Sequence, residues 1–484
     1  MTDVILDWDK KKSKGIIVSD HLDLIRNHFS VPNDAKKFSR NSWAPDRLGI
    51  ITGTGRFDLG LYYTILKFTK SGKYKFSVST TQRLQEKLLT GTEEYEIPKL
   101  KLPPRDFQNQ GVRLAATYGF GTFVVGTGGG KTLLMALITE TFKSIGKEKT
   151  LIGLPPHLVE QTTSDFIEYG IPEEDISKWD GRNELQSTRI IIASYKIIQS
   201  KLTKDKEETV KQLKDVDLLL LDEVHCLRKM NKLNKAINTF TTFNRFGFTG
   251  TLPENLLDKW NIIGKVGPIL LDINSYQLRE EGLLSNVKAL ILAITYSNPP
   301  KFLSNQEDKN KAYREEREFI QTNTFRNSLI RSLCTRFDNN CLILVNQIAH
   351  GKLLFDLLWD AFPNKRIFWV SGKTEMKDRE LIKGLMETNN DIICIAITKI
   401  FSTGVNIKNL HYIIFAQGGK AKVTMIQAIG RGLRLHKSKP HLLIIDIADM
   451  LKYGTSHLQM RKKRYNEEKI SYEITQINEP KHCH

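Results

Sequence analysis

The stretch Val124-Val125-Gly126-Thr127-Gly128-Gly129-Gly130-Lys131-Thr132 decides how this chain folds. An apolar run that begins at Phe123 leads into it, and a helical pattern over residues 133–142 follows it. A strand, a glycine loop and a helix in this order are typical of a phosphate-binding loop. Glycine lets backbone N–H groups turn towards phosphate oxygens at the positive end of a helix. The strict pattern of such loops has glycine at position 125, where this chain has valine.

The loop predicts an ATP site with a bound Mg²⁺ ion. The backbone of residues 127–130 would surround the phosphates, Lys131 would reach the β- and γ-phosphates, and the Thr132 hydroxyl would bind Mg²⁺. Taken alone, a glycine-rich loop can also be a structural turn. The rest of the chain has to decide between these two interpretations.

A second signal is the stretch Leu218-Leu219-Leu220-Leu221-Asp222-Glu223-Val224-His225, an apolar strand that ends in two acids. Phosphoryl transfer needs a ligand for the metal and a group that activates water. Asp222 is the candidate to bind Mg²⁺ together with Thr132, and Glu223 is the candidate to orient or deprotonate the attacking water. An acidic pair after an apolar run is otherwise typical of a helix N-cap. The glycine loop upstream in the same unit favours the catalytic interpretation.

Apolar runs alternate with helical patterns along most of the chain, which predicts an α/β fold. Near-continuous apolar strands are what a parallel sheet covered on both faces requires. The chain therefore contains two α/β units in tandem, and the second has no phosphate loop of its own. The predicted strands are residues 122–125, 151–154, 189–193, 217–221 and 246–249 in the first unit, and 341–345, 366–370, 391–396, 411–415 and 442–445 in the second.

The segment before these units is predicted to be a small α+β domain. It is followed by a linker over residues 91–104, which contains three prolines and no clear periodicity. Aromatic and basic residues interleave in the domain, among them Arg40 and Trp43. This mixture suits stacking on bases and neutralising phosphates. The alternative is that the aromatic residues form a core and the charges a solvated face, and the sequence leaves both open.

The composition favours nucleic acid as a partner. The 484 residues include 72 Lys and Arg against 54 Asp and Glu, a formal net charge of +18, and such an excess favours polyanions. A basic surface without a partner is the alternative. The five cysteines show no C-x-x-C spacing, which indicates free thiols in a reducing cytoplasm. No apolar run approaches the roughly 18 residues of a membrane span and no signal core is visible, so we expect a cytoplasmic protein without a membrane partner.

The second unit offers the positive charge that phosphoryl transfer needs, in the stretch Gln427-Ala428-Ile429-Gly430-Arg431-Gly432-Leu433-Arg434. Arg431 and Arg434 are three residues apart and therefore fall on one side of a helical turn. Across a cleft they would reach the γ-phosphate as arginine fingers. A basic turn at the surface is the alternative. If ATP binds one unit and the fingers lie on the other, binding would close the cleft and hydrolysis would reopen it.

Four candidate motifs follow one another along the chain. They are residues 128–132, Asp222-Glu223-Val224-His225, Thr249-Gly250-Thr251 and Gln427 to Arg434. Together they resemble motifs I, II, III and VI of the superfamily 2 helicases, and Pro104-Arg105-Asp106-Phe107-Gln108 resembles the Q-type motif of the same superfamily. Residues 401–411 and 427–436 are further similar to the phage UvsW-type branch-migration helicases. The resemblance covers most of the chain, more loosely before residue 100.

The resemblance implies two RecA-like domains and an ATP-driven, 3′-to-5′ DNA translocase that remodels branched DNA, namely Holliday junctions, forks and R-loops. It implies that Arg105, Gln108 and Gly404 bind the nucleotide, and that His225 and Gln427 join Lys131 and the acids in catalysis. It further implies that Pro155, Ser194, Thr398 and Thr403 contact the DNA backbone, and that Thr249 and Thr251 couple hydrolysis to movement. Backbone contacts would leave the motor blind to sequence.

We therefore expect four segments: an N-terminal α+β DNA-engaging domain over residues 1–95, RecA-like domains over 96–287 and 288–450, and a basic helical tail over 451–484. Within the tail, residues 461–464 (Arg-Lys-Lys-Arg) either contact phosphates or form a solvated face. The expected activity is that of a monomeric or weakly associating DNA helicase for phage recombination, repair and replication. An RNA helicase, a duplex translocase subunit of a restriction system and an ATP-gated nucleic-acid clamp with little turnover remain alternatives.

Overall fold

The computed structural model describes residues 3–34, 36, 44–71, 74–89, 91–300, 309–398, 407–416, 436, 439 and 441–480. The chain divides into two compact units. The first unit comprises Met1–Val125 and Gly130–Ile273, and the second comprises Gly126–Gly129 and Asn274–His484.

The elements of the first unit alternate between strands and helices after a short N-terminal α+β segment. In chain order they are β1 (Val4–Asp9), β2 (Lys14–Val18), α1 (Leu22–His28), β3 (Ser30–Pro32), β4 (Arg47–Gly49), β5 (Arg56–Phe57), α2 (Tyr62–Ser71), β6 (Val78–Thr80), α3 (Gln82–Leu88), α4 (Asp106–Tyr118), β7 (Phe120–Val125), α5 (Lys131–Ser144), β8 (Thr150–Leu154), α6 (Val159–Glu168), β9 (Ile176–Trp179), β10 (Ile190–Ser194), α7 (Tyr195–Lys204), α8 (Lys206–Gln212), β11 (Leu218–Leu221), α9 (Lys232–Ile237), β12 (Asn244–Thr249), α10 (Leu256–Val266) and β13 (Ile269–Ile273).

Seven parallel strands form the main sheet of the first unit, in the order β13-β7-β12-β11-β8-β10-β9. The central strands β7, β8, β10 and β11 are buried along their whole length, as a parallel sheet covered on both faces requires. All five strands predicted for this unit are confirmed. The sheet adds β9 and β13 as its two edge strands, which include partly exposed residues in both strands and exposed residues in β13.

The register of these strands brings three loops together where the carboxyl ends of the strands meet, and we call this the carboxyl edge of the sheet. Thr249 pairs with Val124, and Leu221 pairs with Gly247. The carboxyl ends of β7, β11 and β12 therefore lie side by side. The glycine loop, the acidic pair and Thr249-Gly250-Thr251 follow these three strand ends directly.

The N-terminal segment forms its own four-stranded sheet, in the order β5-β2-β1-β6, but it does not have a separate core. Its buried apolar residues form one cluster with Leu257 and Ile263 of α10, and Trp260 packs against the same cluster. The rings of Phe29 and Trp260 meet edge to face at 5.4 Å between centroids. The segment is therefore attached to the main sheet of the first unit through apolar contact with α10.

An ion-pair cluster and a close backbone contact reinforce this attachment. Asp58 forms ion pairs with both Lys14 and Lys265, so that one carboxylate joins the β1–β2 hairpin to α10. Next to it, Gly60 lies against the end of α10, where a Cβ atom would stand 2.0 Å from the carbonyl oxygen of Ile263. Only glycine allows the two backbones to approach so closely.

The second unit is built on the same α/β plan. Its elements are α11 (Ser275–Glu280), β14 (Asn286–Thr295), α12 (Lys309–Thr322), α13 (Thr324–Cys334), β15 (Cys341–Val345), α14 (Ile348–Ala361), β16 (Arg366–Val370), α15 (Met376–Thr388), β17 (Ile392–Ile397), β18 (Tyr412–Phe415), β19 (His441–Asp449), α16 (Lys452–Glu467) and β20 (Ser471–Asn478). All seven strands are parallel, in the order β16-β17-β15-β18-β19-β14-β20.

The structure thus confirms the predicted fold class, two tandem parallel-sheet domains of RecA-like type after a small α+β segment. The five strands predicted for the second unit are present, and β14 and β20 were not predicted. The C-terminal tail contributes β20, which pairs with β14 along eight residues, in addition to the expected helix. Among the described residues, no helix has both the length and the apolar surface that crossing a bilayer requires.

The close approach at Gly60 yields a first prediction. In Gly60→Ala the new methyl group meets the backbone of α10, which cannot move away as a flexible side chain would. We expect a loss of roughly 1–3 kcal/mol in the free energy of unfolding, measured by urea denaturation followed by tryptophan fluorescence. Gly53→Ala is the matched control, because its nearest neighbour would be the end of the Arg26 side chain at 3.8 Å. Equal midpoints for the two variants would contradict the proposed tight contact.

Candidate active site

The glycine loop has a backbone that only glycine adopts easily. Gly128 and Gly130 have φ angles of +84° and +85°, in the left-handed region that L side chains disfavour. The N–H group of Gly129 donates to the carbonyl oxygen of Gly126 at 3.0 Å. Helix α5 then begins at Lys131 without a side-chain cap, so its first N–H groups remain suited to anionic oxygens.

Gln108 connects this loop with helix α4. Its side-chain Nε2 donates to the carbonyl oxygen of Gly130 at 3.0 Å, and its Oε1 accepts from the N–H group of Arg105 at 2.8 Å. The residue is only 1% exposed. Gln108 therefore links the last residue of the glycine loop to the start of α4. The binding of the nucleotide by Gln108 and Arg105 remains a prediction.

The acidic pair lies at the carboxyl end of β11, beside the first residue of α5. Asp222 is buried, and its Oδ1 accepts from the N–H group of Glu223 at 2.8 Å. Burial and the charge of Glu223 raise the pKa of Asp222 to about 6, while the positive charge of Lys131 acts in the opposite direction. Lys131, whose ammonium group also donates to the carbonyl oxygen of Val125 at 3.3 Å, is thus close enough to influence the acid.

Glu223 has a strained backbone. Its φ angle is +48°, a left-handed conformation that is uncommon for any residue with a Cβ atom. This conformation begins a 3₁₀ turn over Val224–Cys226 and turns the chain sharply after the buried strand. As a result His225 returns towards the glutamate, with 3.1 Å between His225 Nδ1 and Glu223 Oε2.

A hydrogen-bond chain runs from His225 to the loop after β12. Thr249 Oγ1 donates its one proton to the carbonyl oxygen of Thr251 at 2.8 Å, so it accepts from His225 Nδ1 at 3.0 Å. Burial lowers the pKa of His225, but hydrogen bonds with Cys226 and Glu223 and the charge of Glu223 raise it to about 10. The imidazole therefore carries a proton at neutral pH, and its single Nδ1–H faces both Thr249 Oγ1 and Glu223 Oε2.

Tyr195 is a residue that the sequence analysis missed. Its hydroxyl group donates to the carbonyl oxygen of Asp222 at 2.5 Å, and its ring is buried. The preceding Ser194 is fully buried and accepts from the N–H group of Ile197 as the N-cap of α7. Tyr195 thus connects the residue after β10 to Asp222, and Ser194 caps the helix that begins there. The only sequence signal for Tyr195 is its place directly after a buried strand.

Two further residues predicted to contact DNA lie at strand ends. Pro155 directly follows β8 and is partly exposed. In the second unit, Thr398 follows β17, is buried, and donates to the carbonyl oxygen of Val345 at 3.0 Å. The hydroxyl groups of Ser194 and Thr398 thus bond to backbone atoms, and contact with DNA stays a prediction for all three residues. Seven predicted site residues lie outside the described part of the chain: Arg40, Trp43, Thr403, Gly404, Gln427, Arg431 and Arg434.

The basic segment of the C-terminal helix contains two buried arginines and two lysines that are more exposed. Arg461 is buried and pairs with Asp446 at 2.9 Å, and Arg464 is buried and pairs with Glu467 at 2.8 Å. The intervening Lys462 and Lys463 are partly and fully exposed. The arginines therefore serve the packing of the second unit, and only the lysines face solvent.

The residues present suit Mg²⁺ with a nucleotide. A hydroxyl group and a carboxylate are the oxygen ligands that Mg²⁺ prefers, and Thr132 and Asp222 supply them at the same sheet edge. The raised pKa of Asp222 indicates a buried carboxylate that a cation would relieve. Within the described ranges, no cluster of three or more acidic, histidine or cysteine side chains indicates a further metal site.

Comparisons with known proteins find similarity to helicases and to a restriction-enzyme subunit. Two family models match the chain: "Type III restriction enzyme, res subunit" over residues 101–254 and "Helicase conserved C-terminal domain" over residues 325–436. The ATP-dependent DNA helicase uvsW of Enterobacteria phage T4 is 25% identical over 495 residues, which cover 94% of this chain and 95% of that protein.

Solved structures share the fold at lower identity. The ATP-dependent Type ISP restriction-modification enzyme LlaBIII bound to DNA matches with a TM-score of 0.56 and 14% identity, over 83% of this chain and 33% of that one. Dbp5 of S. cerevisiae bound to RNA and ADP BeF3 matches with a TM-score of 0.54 and 14% identity, over 78% of this chain and 90% of that one.

The buried acid yields a second prediction. Because the pKa of Asp222 is higher in the folded state than its usual 3.8, stability is lost as pH rises from about 4 through 6. Asp222→Asn removes this loss, and we expect the variant to be more stable than the parent at pH 7.5 by about 1–3 kcal/mol. Urea denaturation at pH 4.5 and 7.5 measures the difference, which should shrink at the lower pH.

The exposed Asp215→Asn in the same unit is the control, and it should shift stability little at either pH. If Asp222→Asn were instead less stable at pH 7.5, the attraction between Asp222 and Lys131 would outweigh the effect of burial.

Proposed function

We propose that this chain, which belongs to superfamily 2 of the helicases and is an ATP-dependent helicase, uses ATP hydrolysis to move along DNA and to branch-migrate and unwind branched DNA. The proposed substrates are Holliday junctions, forks and R-loops, the proposed direction is 3′ to 5′, and the proposed setting is phage recombination, repair and replication in the cytoplasm of the host cell. The identity with the T4 DNA helicase along nearly the whole of both chains supports this choice.

The observation that carries the proposal is the series of contacts that links Glu223 by an ion pair to His225, and His225 by hydrogen bonds to Thr249 and Thr251. A helicase must transmit the state of its nucleotide to the loops that hold nucleic acid. These contacts begin at the candidate catalytic acid and end in the loop after β12, at the same edge of the sheet. A clamp with little turnover would not need an acid with a strained backbone and a protonated partner at this position.

In the proposed mechanism, Mg²⁺-ATP supplies the phosphoryl group and the metal charge. The loop backbone and Lys131 hold the phosphates, and Thr132 and Asp222 hold the metal. Glu223 accepts a proton from the attacking water. His225 keeps its own proton, orients the Glu223 carboxylate through Oε2, and holds Thr249 at the same time.

The second unit would contribute Gln427, Arg431 and Arg434 to the same reaction. Arginine side chains stabilise the charge that develops on a transferring phosphoryl group. We propose that they act in this way, and that the protein works as a monomer or a weak oligomer. DNA would be held through the backbone by Pro155, Ser194, Thr398 and Thr403, which makes binding independent of base sequence.

Substrate choice is the first test of the proposal. We expect the ATPase rate to rise most with a synthetic four-way junction, less with single-stranded or duplex DNA, and least with RNA strands of matching sequence. Strand separation of the junction should accompany hydrolysis and should require ATP. Stimulation by RNA alone would replace the proposal with an RNA helicase, and absence of hydrolysis with every substrate would favour a nucleic-acid clamp.

The role of Glu223 is the second test. Glu223→Gln keeps the shape of the side chain but removes its ability to accept a proton. We expect the DNA-stimulated ATPase rate to fall roughly 100-fold or more, with binding of a fluorescent ATP analogue retained. Glu174→Gln, an exposed site in the same unit, should leave the rate unchanged. Hydrolysis near the parent rate in Glu223→Gln would show that another group activates the water.

A further inference from the structure

A cavity of about 170 Å³ lies where the N-terminal segment meets the main sheet of the first unit. Its walls come from the β1–β2 hairpin, the turn at Asp58–Gly60, the amino-terminal ends of β7 and β12, and the end of α10. It is larger than the roughly 30 Å³ share of one water molecule and smaller than the roughly 300–1,000 Å³ of clefts that hold drug-sized ligands. The cavity therefore suits a small ligand.

This cavity is distinct from the candidate active site. Arg245 is the second residue of β12, and Phe120 is the first residue of β7, whereas the active-site loops follow the last residues of these strands. A strand of six residues spans roughly 15–20 Å. The cavity and the glycine loop thus lie at opposite edges of the same sheet.

Most of the charged residues that line the cavity are cationic. Lys12, Lys14, Arg245 and Lys265 contribute positive charges, and Asp58 contributes the one carboxylate among the described lining residues. Asp58 is already shared by Lys14 and Lys265. The charges of Arg245 and Lys12 are therefore left without an acidic partner in the wall of the cavity.

Arg245 is the most unusual of these groups. Its Nε donates to the carbonyl oxygen of Thr242 at 2.7 Å and its Nη2 to that of Phe240 at 3.1 Å, while Nη1 lies 3.4 Å from the carbonyl oxygen of Lys265. Within the described part of the chain, no carboxylate forms an ion pair with it. Burial lowers the pKa of Arg245 to about 10, against the opposing charge of Asp58. Arg245 is partly buried, its hydrogen bonds go to neutral carbonyls, and the nearby Asp58 is already paired with two lysines, so a bound anion would balance its charge.

We infer that this cavity binds a phosphate group, with Arg245 as its anchor and Lys12 and Lys14 at the hairpin closing over it. Guanidinium and ammonium groups together are the side chains that recognise phosphate. The bound phosphate would touch both the N-terminal segment and the main sheet, so it would strengthen their attachment. The phosphate is either free, as phosphate or pyrophosphate, or the terminal phosphate of a DNA strand.

The test uses the full chain carrying Lys131→Ala, so that the glycine loop does not compete for the probe. Binding of inorganic pyrophosphate is measured by isothermal titration calorimetry at constant ionic strength. We expect one saturable site, weakened roughly tenfold or more by Arg245→Gln. Lys12→Gln should weaken it roughly two- to fivefold, because Lys12 is exposed at the mouth of the cavity. Lys11→Gln is the matched control in the same turn, outside the cavity, and should leave affinity unchanged.

A second pair of probes separates the two sources of phosphate. A short DNA strand with a 5′-phosphate is compared with the same strand carrying a 5′-hydroxyl. Tighter binding of the phosphorylated strand that Lys12→Gln reduces would assign the site to a DNA end, and equal binding beside saturable pyrophosphate would assign it to free phosphate. Absence of saturable binding, or equal affinity in Lys12→Gln and Lys11→Gln, would overturn the inference, and neither reading requires Arg245→Gln to fold.

Discussion

The parallel register of β7, β12 and β11 is the constraint on which the candidate active site depends. Thr249 lies opposite Val124 and Gly247 lies opposite Leu221, so three loops that are far apart in sequence emerge at one edge. Because these strands are fully or almost fully buried, a slip of register would disrupt the packing of apolar side chains on both faces of the sheet. The core thus holds Lys131, Asp222 and Thr249 together without any direct bond between them.

Much of this could be predicted from sequence, because the central strands are short apolar runs between turn signals. The acidic pair and the glycine loop were placed correctly at strand ends for the same reason. The strands that were not predicted are less uniformly apolar. β13 is only partly buried, β14 begins with alternating exposed and buried residues, and β20 is largely exposed. Arg461 and Arg464 look like surface charges in sequence, yet each is buried beside a carboxylate, and such pairing depends on distant chain segments.

The predictions for individual residues also divide into those that depend on local sequence and those that depend on contacts between distant segments. Asp222 and Glu223 follow from their place after a strand, but the bond between His225 and Thr249 depends on the strained turn at Glu223, which no local pattern indicates. Tyr195 likewise acts through the carbonyl oxygen of Asp222, so its side chain carries no catalytic signature. Roles that rest on one residue and its neighbours in sequence are readable, and roles that rest on tertiary contacts are not.

The first unit carries a charged group at each end of its parallel strands, and the two groups differ in sign. At the carboxyl ends, Asp222 is a buried acid whose raised pKa favours a cation, and at the amino ends, Arg245 is a partly buried guanidinium that favours an anion. Each lies where a loop or a second segment closes over the sheet. Neither group improves the stability of the isolated fold, so each is more naturally explained by what it binds. We propose that the end with Asp222 binds the nucleotide and that the end with Arg245 binds the phosphate that strengthens the attachment of the N-terminal segment.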